Sequence, residues 1–221
     1  MESVIETYDG VLSQAKTLGI KMDGMPKSYE QLYKAAKEVR EKQVSGLICE
    51  IGIRMGFGLF SMMCGAGNKP TYIGVDPYGQ IVMMQHGHNT DYTNSMKNDF
   101  LKNIYAHCFE TGINFSFYWL EDTEFFTRYA DGVPVYEWDK KMETTYSLVH
   151  VDGPHDGEHV WAATRFFEPR LSVGGFISYD NIELYDHHTI EQYLAEHYIV
   201  LRDRSPDPLP CNQKAIYQKR L

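Results

Sequence analysis

Five short apolar runs organise this chain. Most end in a glycine, a proline or an acid, and most are followed by a stretch of helical period. They read Leu47–Ile51, Tyr72–Asp76, Ile113–Leu120, Ser147–Val151 and Gly175–Tyr179. Near-continuous apolar strands of this length suit a parallel sheet buried on both faces. Between them come helical patterns through Leu59–Cys64, through Phe100, Leu101, Ile104, Tyr105 and Cys108, after Asp122, and through Val160, Trp161, Ala163 and Phe167. Strand and helix in alternation predict one doubly wound α/β domain with right-handed crossovers. Tyr198–Leu201 and Ala215–Gln218 read as two more strands, joined by a loop holding Pro206, Pro208 and Pro210. No helix fits between them, so the last strand is expected to enter antiparallel. The result is a mostly parallel seven-stranded sheet closed by a carboxyl-terminal hairpin, occupying residues 46–221. Residues 1–45 form an amino-terminal helical segment packed on it. In that segment Ser28 reads as an N-cap, with Gln31 three residues on and a stripe of Leu32, Ala35, Ala36 and Val39.

Composition narrows the class. The 221 residues are 43% hydrophobic and 14% aromatic, enough for a substantial core. A net charge of −9 without a dense basic run disfavours a phosphate backbone as partner, so no nucleic acid is expected. No apolar stretch of about eighteen residues occurs, so no membrane span is expected. Cys49, Cys64, Cys108 and Cys211 are scattered without a CxxC pair. Reduced, mostly buried thiols and a terminus without a signal-peptide pattern point to the cytoplasm. The amino-terminal helix offers a surface for a homodimer, without a specific marker for one.

In open parallel sheets ligands bind at the carboxyl ends of the strands, and here those ends carry chemistry. Glu50-Ile51-Gly52-Ile53-Arg54-Met55-Gly56-Phe57-Gly58 is a glycine turn after the first strand. The dinucleotide fingerprint needs glycine two places after the first, where this chain has Arg54, and its third glycine falls at Phe57. A pyrophosphate fits poorly there, whereas S-adenosylmethionine has none. Glu50 would then accept from the methionyl ammonium or order the turn. Gly52 would let the backbone approach, with Gly56 and Gly58 at the helix start, and Asp76 would accept ribose hydroxyls. Glu121, Asp122 and Thr123 end the third strand, where they could bond an adenine amino group or cap a helix. Turn formation alone is the plain alternative for the glycines.

The fourth and fifth strand ends hold Asp152-Gly153-Pro154-His155 and Asp180-Asn181. Asp152, Asp180 and Asn181 offer only oxygen, the donor set of magnesium, calcium or manganese. Such a cation lowers the pKa of a bound hydroxyl. His155, in the same turn as Asp152, could take the hydroxyl proton. The alternative is that Asp152 and Asp180 are N-caps or turn formers. His155 with His159, and His86 with His88, have ligand-like spacing but lack the partners of a zinc site. His187-His188 reads as surface polarity at a helix start. Tyr78, Met83, Met84, His86 and Tyr92 could roof an acceptor pocket.

On these residues the chain resembles the class I S-adenosylmethionine-dependent O-methyltransferases of the metal-dependent small-molecule type, over roughly residues 45–182. The glycine turn with Glu50, Gly74-Val75-Asp76-Pro77 and Val151–His155 look like the macrocin-type sugar enzymes. Asp180-Asn181 looks like the catechol O-methyltransferase ligands. The resemblance implies magnesium at Asp152, Asp180 and Asn181, a general base at His155, cofactor contacts at Glu50 and Asp76, and a small hydroxylated acceptor. Two other readings compete: an NAD-linked oxidoreductase, and a catalytically idle binding module on the same fold.

Overall fold

The structure is a computed structural model and describes residues 4–22, 24–79, 92–136, 138–204 and 213–220. Its strands are β1 (Leu47–Ile51), β2 (Thr71–Val75), β3 (Asn114–Tyr118), β4 (Val133–Tyr136), β5 (Lys140–Glu143), β6 (Tyr146–Val151), β7 (Leu171–Tyr179), β8 (Ile199–Arg204) and β9 (Ala215–Lys219). Its helices are α1 (Tyr8–Leu18), α2 (Pro26–Glu41), α3 (Phe57–Ala66), α4 (Asn94–Thr111), α5 (Asp122–Arg128), α6 (Gly157–Phe167) and α7 (His187–Glu196). Seven strands form one sheet in the order β3-β2-β1-β6-β7-β9-β8, and β4 pairs with β5 as a separate hairpin. Neighbours from β3 to β7 are parallel, whereas β9 runs antiparallel to both β7 and β8. The expected sheet and its closing hairpin are therefore both present.

Strand parity sorts the core into two layers. Side chains alternate across a sheet. Ile48, Tyr72, Leu148, Phe176 and Ile216 accordingly face one way, against α1 to α4. Leu47, Cys49, Ile51, Ile73, Val75, Val149, Val151, Ile177 and Tyr217 face the other, against α5, α6 and α7. The apolar α3, buried at all ten of its positions, lies between the sheet and α2. Cys49, Cys64 and Cys108 are free, buried thiols; Cys211 lies outside the described residues.

Several local expectations need correction. Ser28 is not an N-cap: α2 starts two residues earlier at Pro26, whose fixed φ suits a first helical position, and the Ser28 hydroxyl is buried without a hydrogen-bond partner among the described residues. The segment before the sheet holds a second helix, α1, capped by Thr7. His187 is not surface polarity. Asp186 caps α7, and the buried His187 ring meets the Tyr217 hydroxyl at 2.7 Å.

His187 and His107 share an electrostatic consequence. His107, on α4, lies edge-on to Phe60 with 5.0 Å between centroids, and neither ring nitrogen has a hydrogen-bond partner among the described residues. Burial lowers the pKa of each histidine to about 4. The unfolded chain accepts the proton near the ordinary value of about 6.5, so each ring's contribution is complete above that pH and is lost as pH falls toward 4. Relative to wild type, His107→Phe should gain on the order of 1–2 kcal/mol between pH 7 and pH 5. Urea unfolding at the two pH values checks this, and an unchanged difference would mean that His107 is not held neutral.

Candidate active site

Registry brings the polar residues of the site to one face and one end of the sheet. Glu50 on β1 pairs laterally with His150 on β6, which pairs with Ser178 on β7, which pairs with Ile216 on β9. Two residues further along each parallel strand lie Gly52, Asp152 and Asp180. On antiparallel β9, two residues back from Ile216 is Lys214. Parity puts all of them on the face covered by α3, at the strands' carboxyl ends.

Glu50 is buried, and its Oε2 accepts from the Leu59 backbone N–H at 2.8 Å, in the first turn of α3. Its Oε1 lies 2.7 Å from His150 Nδ1. The other ring nitrogen of His150 lies 2.7 Å from Lys214 Nζ, which also stands 3.2 Å from Asp180 Oδ2. His150 and Lys214 are inaccessible to water. The four side chains thus form one continuous polar chain through the sheet. Burial raises the Glu50 pKa to about 8, against the pull of the Lys214 charge. Burial, then the Lys214 charge, keeps His150 neutral.

Asp152 and Asp180 converge as expected. Both line one cavity of about 170 Å³ together with His155, Asn181, Glu50, Arg54, Gly56, Gly58, Tyr29 and Tyr92. Burial and the Asp180 charge raise the Asp152 pKa well above the carboxylate range, whereas at Asp180 burial is outweighed by the Lys214 charge, which lowers it. His155 Nε2 is 3.9 Å from Asp152 Oδ1. Neither aspartate is a helix cap: Asp156 caps α6, and Asp180 receives the N–H of Asn181, whose backbone is left-handed. Glu50, His150 and Asp152 also bring donor atoms within 4.8 Å of one another. With both nitrogens of His150 engaged, by Glu50 and by Lys214, that trio is not an ion cage.

A second cavity, lined by Gly52, Asp76, Pro77, Tyr92, Glu121, Asp122, Asp152 and Gly153, adjoins the first through Tyr92 and Asp152. Asp76 follows β2, and its Oδ2 accepts from the N–H groups of Ile53 and Arg54 at 2.8 and 3.0 Å, while Oδ1 accepts from Tyr78 N–H at 2.8 Å. The carboxylate therefore clamps the glycine turn as well as facing the cavity. Arg54 is left-handed, its carbonyl accepts from the Tyr78 hydroxyl, and its guanidinium lies over Tyr92. Of the third strand end, Glu121 and Asp122 line the cavity, whereas Thr123 is exposed. Glu121 occupies the cap position of α5 without a side-chain cap bond, so neither Asp122 nor Thr123 is the cap. Asp122 instead receives Thr123 N–H and meets His159 Nδ1 at 3.0 Å, tying α5 to α6. His159 is thus not a zinc partner of His155. Met83, Met84 and His86, and with them most of the expected roof, lie outside the described residues.

A larger cavity, about 390 Å³, opens at the amino-terminal edge of the strands between Val39, Leu47, Lys69 and Lys141. None of the acids just described reaches it.

The chain belongs to the methyltransferase-domain family, whose model matches residues 49–182, and is by class an S-adenosylmethionine-dependent methyltransferase. Its fold is similar to that of the O-methyltransferase NovP, with a TM-score of 0.61 at 16% identity over 89% of this chain and 81% of that one. An O-methyltransferase from Bacillus cereus, solved with SAH, gives 0.58 at 13% identity over 97% and 91%. CalS11, a TDP-rhamnose 3'-O-methyltransferase, gives 0.54 at 16% identity over 94% and 84%. No curated protein matches the sequence. Family membership sets aside the oxidoreductase reading. His150 and Lys214 were not expected from the sequence. Their only sequence signal is parity: each sits on the same face as Glu50 and Asp180 in neighbouring strands.

Gly52 is the most constrained point of the site. Its φ is +80°, and a Cβ there would stand 2.0 Å from the Asp152 carbonyl oxygen. Gly52→Ala must strain the backbone and part β1 from β6, so a loss of roughly 2 kcal/mol or more is expected. Urea unfolding reads it directly, and a loss under about 0.5 kcal/mol would show that the turn relaxes freely.

Proposed function

We propose that this methyltransferase transfers the sulfonium methyl of S-adenosylmethionine to a hydroxyl of a small acceptor such as a sugar, phenol or catechol. One observation carries the reading: Asp152 lies at the junction of two cavities, one lined by Gly52 and Asp76, the other by Glu50, Arg54, Gly56 and Gly58 of the glycine turn with His155, Asp180 and Asn181. The first offers ribose and adenine contacts through Asp76, Glu121 and Asp122. Glu50 and the N–H groups at the start of α3 suit the methionyl end. Those groups open onto the second cavity, whose His155, Asp180 and Asn181 side suits the acceptor. The acceptor oxygen attacks the methyl carbon, the carbon–sulfur bond breaks with its electron pair left on sulfur, and His155 takes the hydroxyl proton. Tyr29 and Tyr92 wall the acceptor side and limit water.

The donor set also suits a divalent cation. Three carboxylates, Glu50, Asp152 and Asp180, line the second cavity together with Lys21 and Arg54, and the Lys214 ammonium stands 3.2 Å from Asp180 Oδ2. Asp152, Asp180 and Asn181 would hold magnesium, which would supply Lewis-acid stabilisation of the developing alkoxide.

Titration calorimetry with S-adenosylmethionine should give saturable binding, and absence of heat at about 1 mM ligand would end the cofactor reading. His155→Gln should keep that affinity while kcat falls by about 100-fold or more, as loss of a general base requires. An undiminished kcat would remove His155 from the reaction. Chelation should abolish turnover and magnesium restore it; turnover indifferent to chelation would remove the metal and leave methyl transfer standing. A chain that binds the cofactor yet methylates none of a broad panel of sugars, phenols and catechols would favour the idle binding module.

A further inference from the structure

Lys214 and His150 have no part in the reaction as just described, yet they occupy its centre. Lys214 directly precedes β9, is sealed from water, and lies 5.2 Å over the Tyr29 ring. Its ammonium touches His150 Nε2 at 2.7 Å and Asp180 Oδ2 at 3.2 Å. An ammonium can only donate. His150 Nε2 must therefore carry a lone pair, and the ring's single proton sits on Nδ1, where it donates to Glu50 Oε1 at 2.7 Å. The Leu59 N–H donates to the other oxygen. Glu50 is thus held by two donors on fixed axes, with a further lone pair on each oxygen for a ligand. Gly58 makes room for this: a Cβ there would stand 2.0 Å from Glu50 Oε1.

We propose that Lys214 is a positioning residue of methyl transfer, locking His150 in its Nδ1–H tautomer so that the Glu50 carboxyl group is held in one orientation toward a cationic ligand, while its second contact fixes Asp180. The inference rests on the S-adenosylmethionine reading and deepens it, by linking the cofactor's ammonium at Glu50 to the acceptor end at Asp180. The link is charge and hydrogen bonding across β1, β6, β7 and β9, with no loop involved. Bulk packing alone would be served as well by an apolar side chain at position 214, and a buried charge with one partner removed is strongly unfavourable. Two acceptors on one ammonium avoid that situation.

Two measurements test it. Imidazole nitrogen-15 spectra of the wild-type chain, assigned by loss of the signal in His150→Leu, should show Nδ1 protonated and Nε2 bare. The reverse tautomer would overturn the proposal. Affinity for S-adenosylmethionine is then measured in Lys214→Gln, Glu50→Gln and the double variant. Each single change should weaken binding about 10-fold, the size of one hydrogen bond to a charged group, with the double variant no weaker than the worse single one. Effects that multiply to about 100-fold would show that Lys214 does not act through Glu50. If Lys214→Gln fails to fold, His150→Leu takes its place in the same cycle. A wild-type chain that binds no S-adenosylmethionine would overturn the cofactor reading and the positioning role together, while multiplying effects in a chain that binds overturn the role alone.

Discussion

The site depends on a buried run of hydrogen-bonded polar side chains crossing the middle of the sheet from Glu50 through His150 and Lys214 to Asp180. Ionised groups shielded from water are costly unless each has partners of fitted geometry. Here the geometry comes from strand registry. Glu50 and His150 are lateral neighbours on parallel strands, and Lys214 comes level with Asp180 because Ala215 pairs with Tyr179 on antiparallel strands. A slip of one residue in any of these pairings would turn a charged side chain into the opposite apolar layer. The polar chain and the sheet therefore specify each other: the register assembles the partners, and the cost of losing a partner opposes every other register.

That dependence also explains why the antiparallel last strand matters. A parallel β9 would reverse the strand's direction and carry Lys214 away from Asp180 to the amino-terminal edge. Entering from the opposite side, the strand delivers its first polar residue to the carboxyl ends of its neighbours. The closing hairpin is thus the element that supplies the internal cation of the polar chain.

Much of this was legible before any coordinates. Apolar runs of four to eight residues located all seven strands of the main sheet, and their terminal acids located the cavity, because strand ends are where a buried backbone returns to solvent and can carry polar side chains. What escaped had weaker local signals. The β4–β5 hairpin has strands of four residues, one of them Lys140–Glu143 with scarcely an apolar position. The α1 helix owes its burial to α3 and not to a strong pattern of its own. The N-cap at Ser28 failed because Pro26 opens a helix as effectively as a capping hydroxyl ends a loop. His150 escaped because it lies inside a strand and Lys214 because it lies just before one. Single-strand reading treats the first as core and the second as loop; only the pairing of four strands makes them neighbours.

The same pairing sets the charge of the cavity. Glu50, Asp152 and Asp180 converge, His150 is kept neutral, and, while Lys21 and Arg54 line the same cavity, Lys214 is in direct contact with Asp180. Asp180 draws that charge most directly, and its pKa falls. Glu50 and Asp152 are left with burial and mutual repulsion, and theirs rise. Burial therefore outweighs the nearby positive charge at Asp152, the acid that the two cavities share. An anionic ligand there would deepen the imbalance, whereas a sulfonium or a divalent cation would relieve it. The electrostatics of the strand ends therefore favour the chemistry proposed above: a positively charged methyl donor beside carboxylates that desolvation has left unmet.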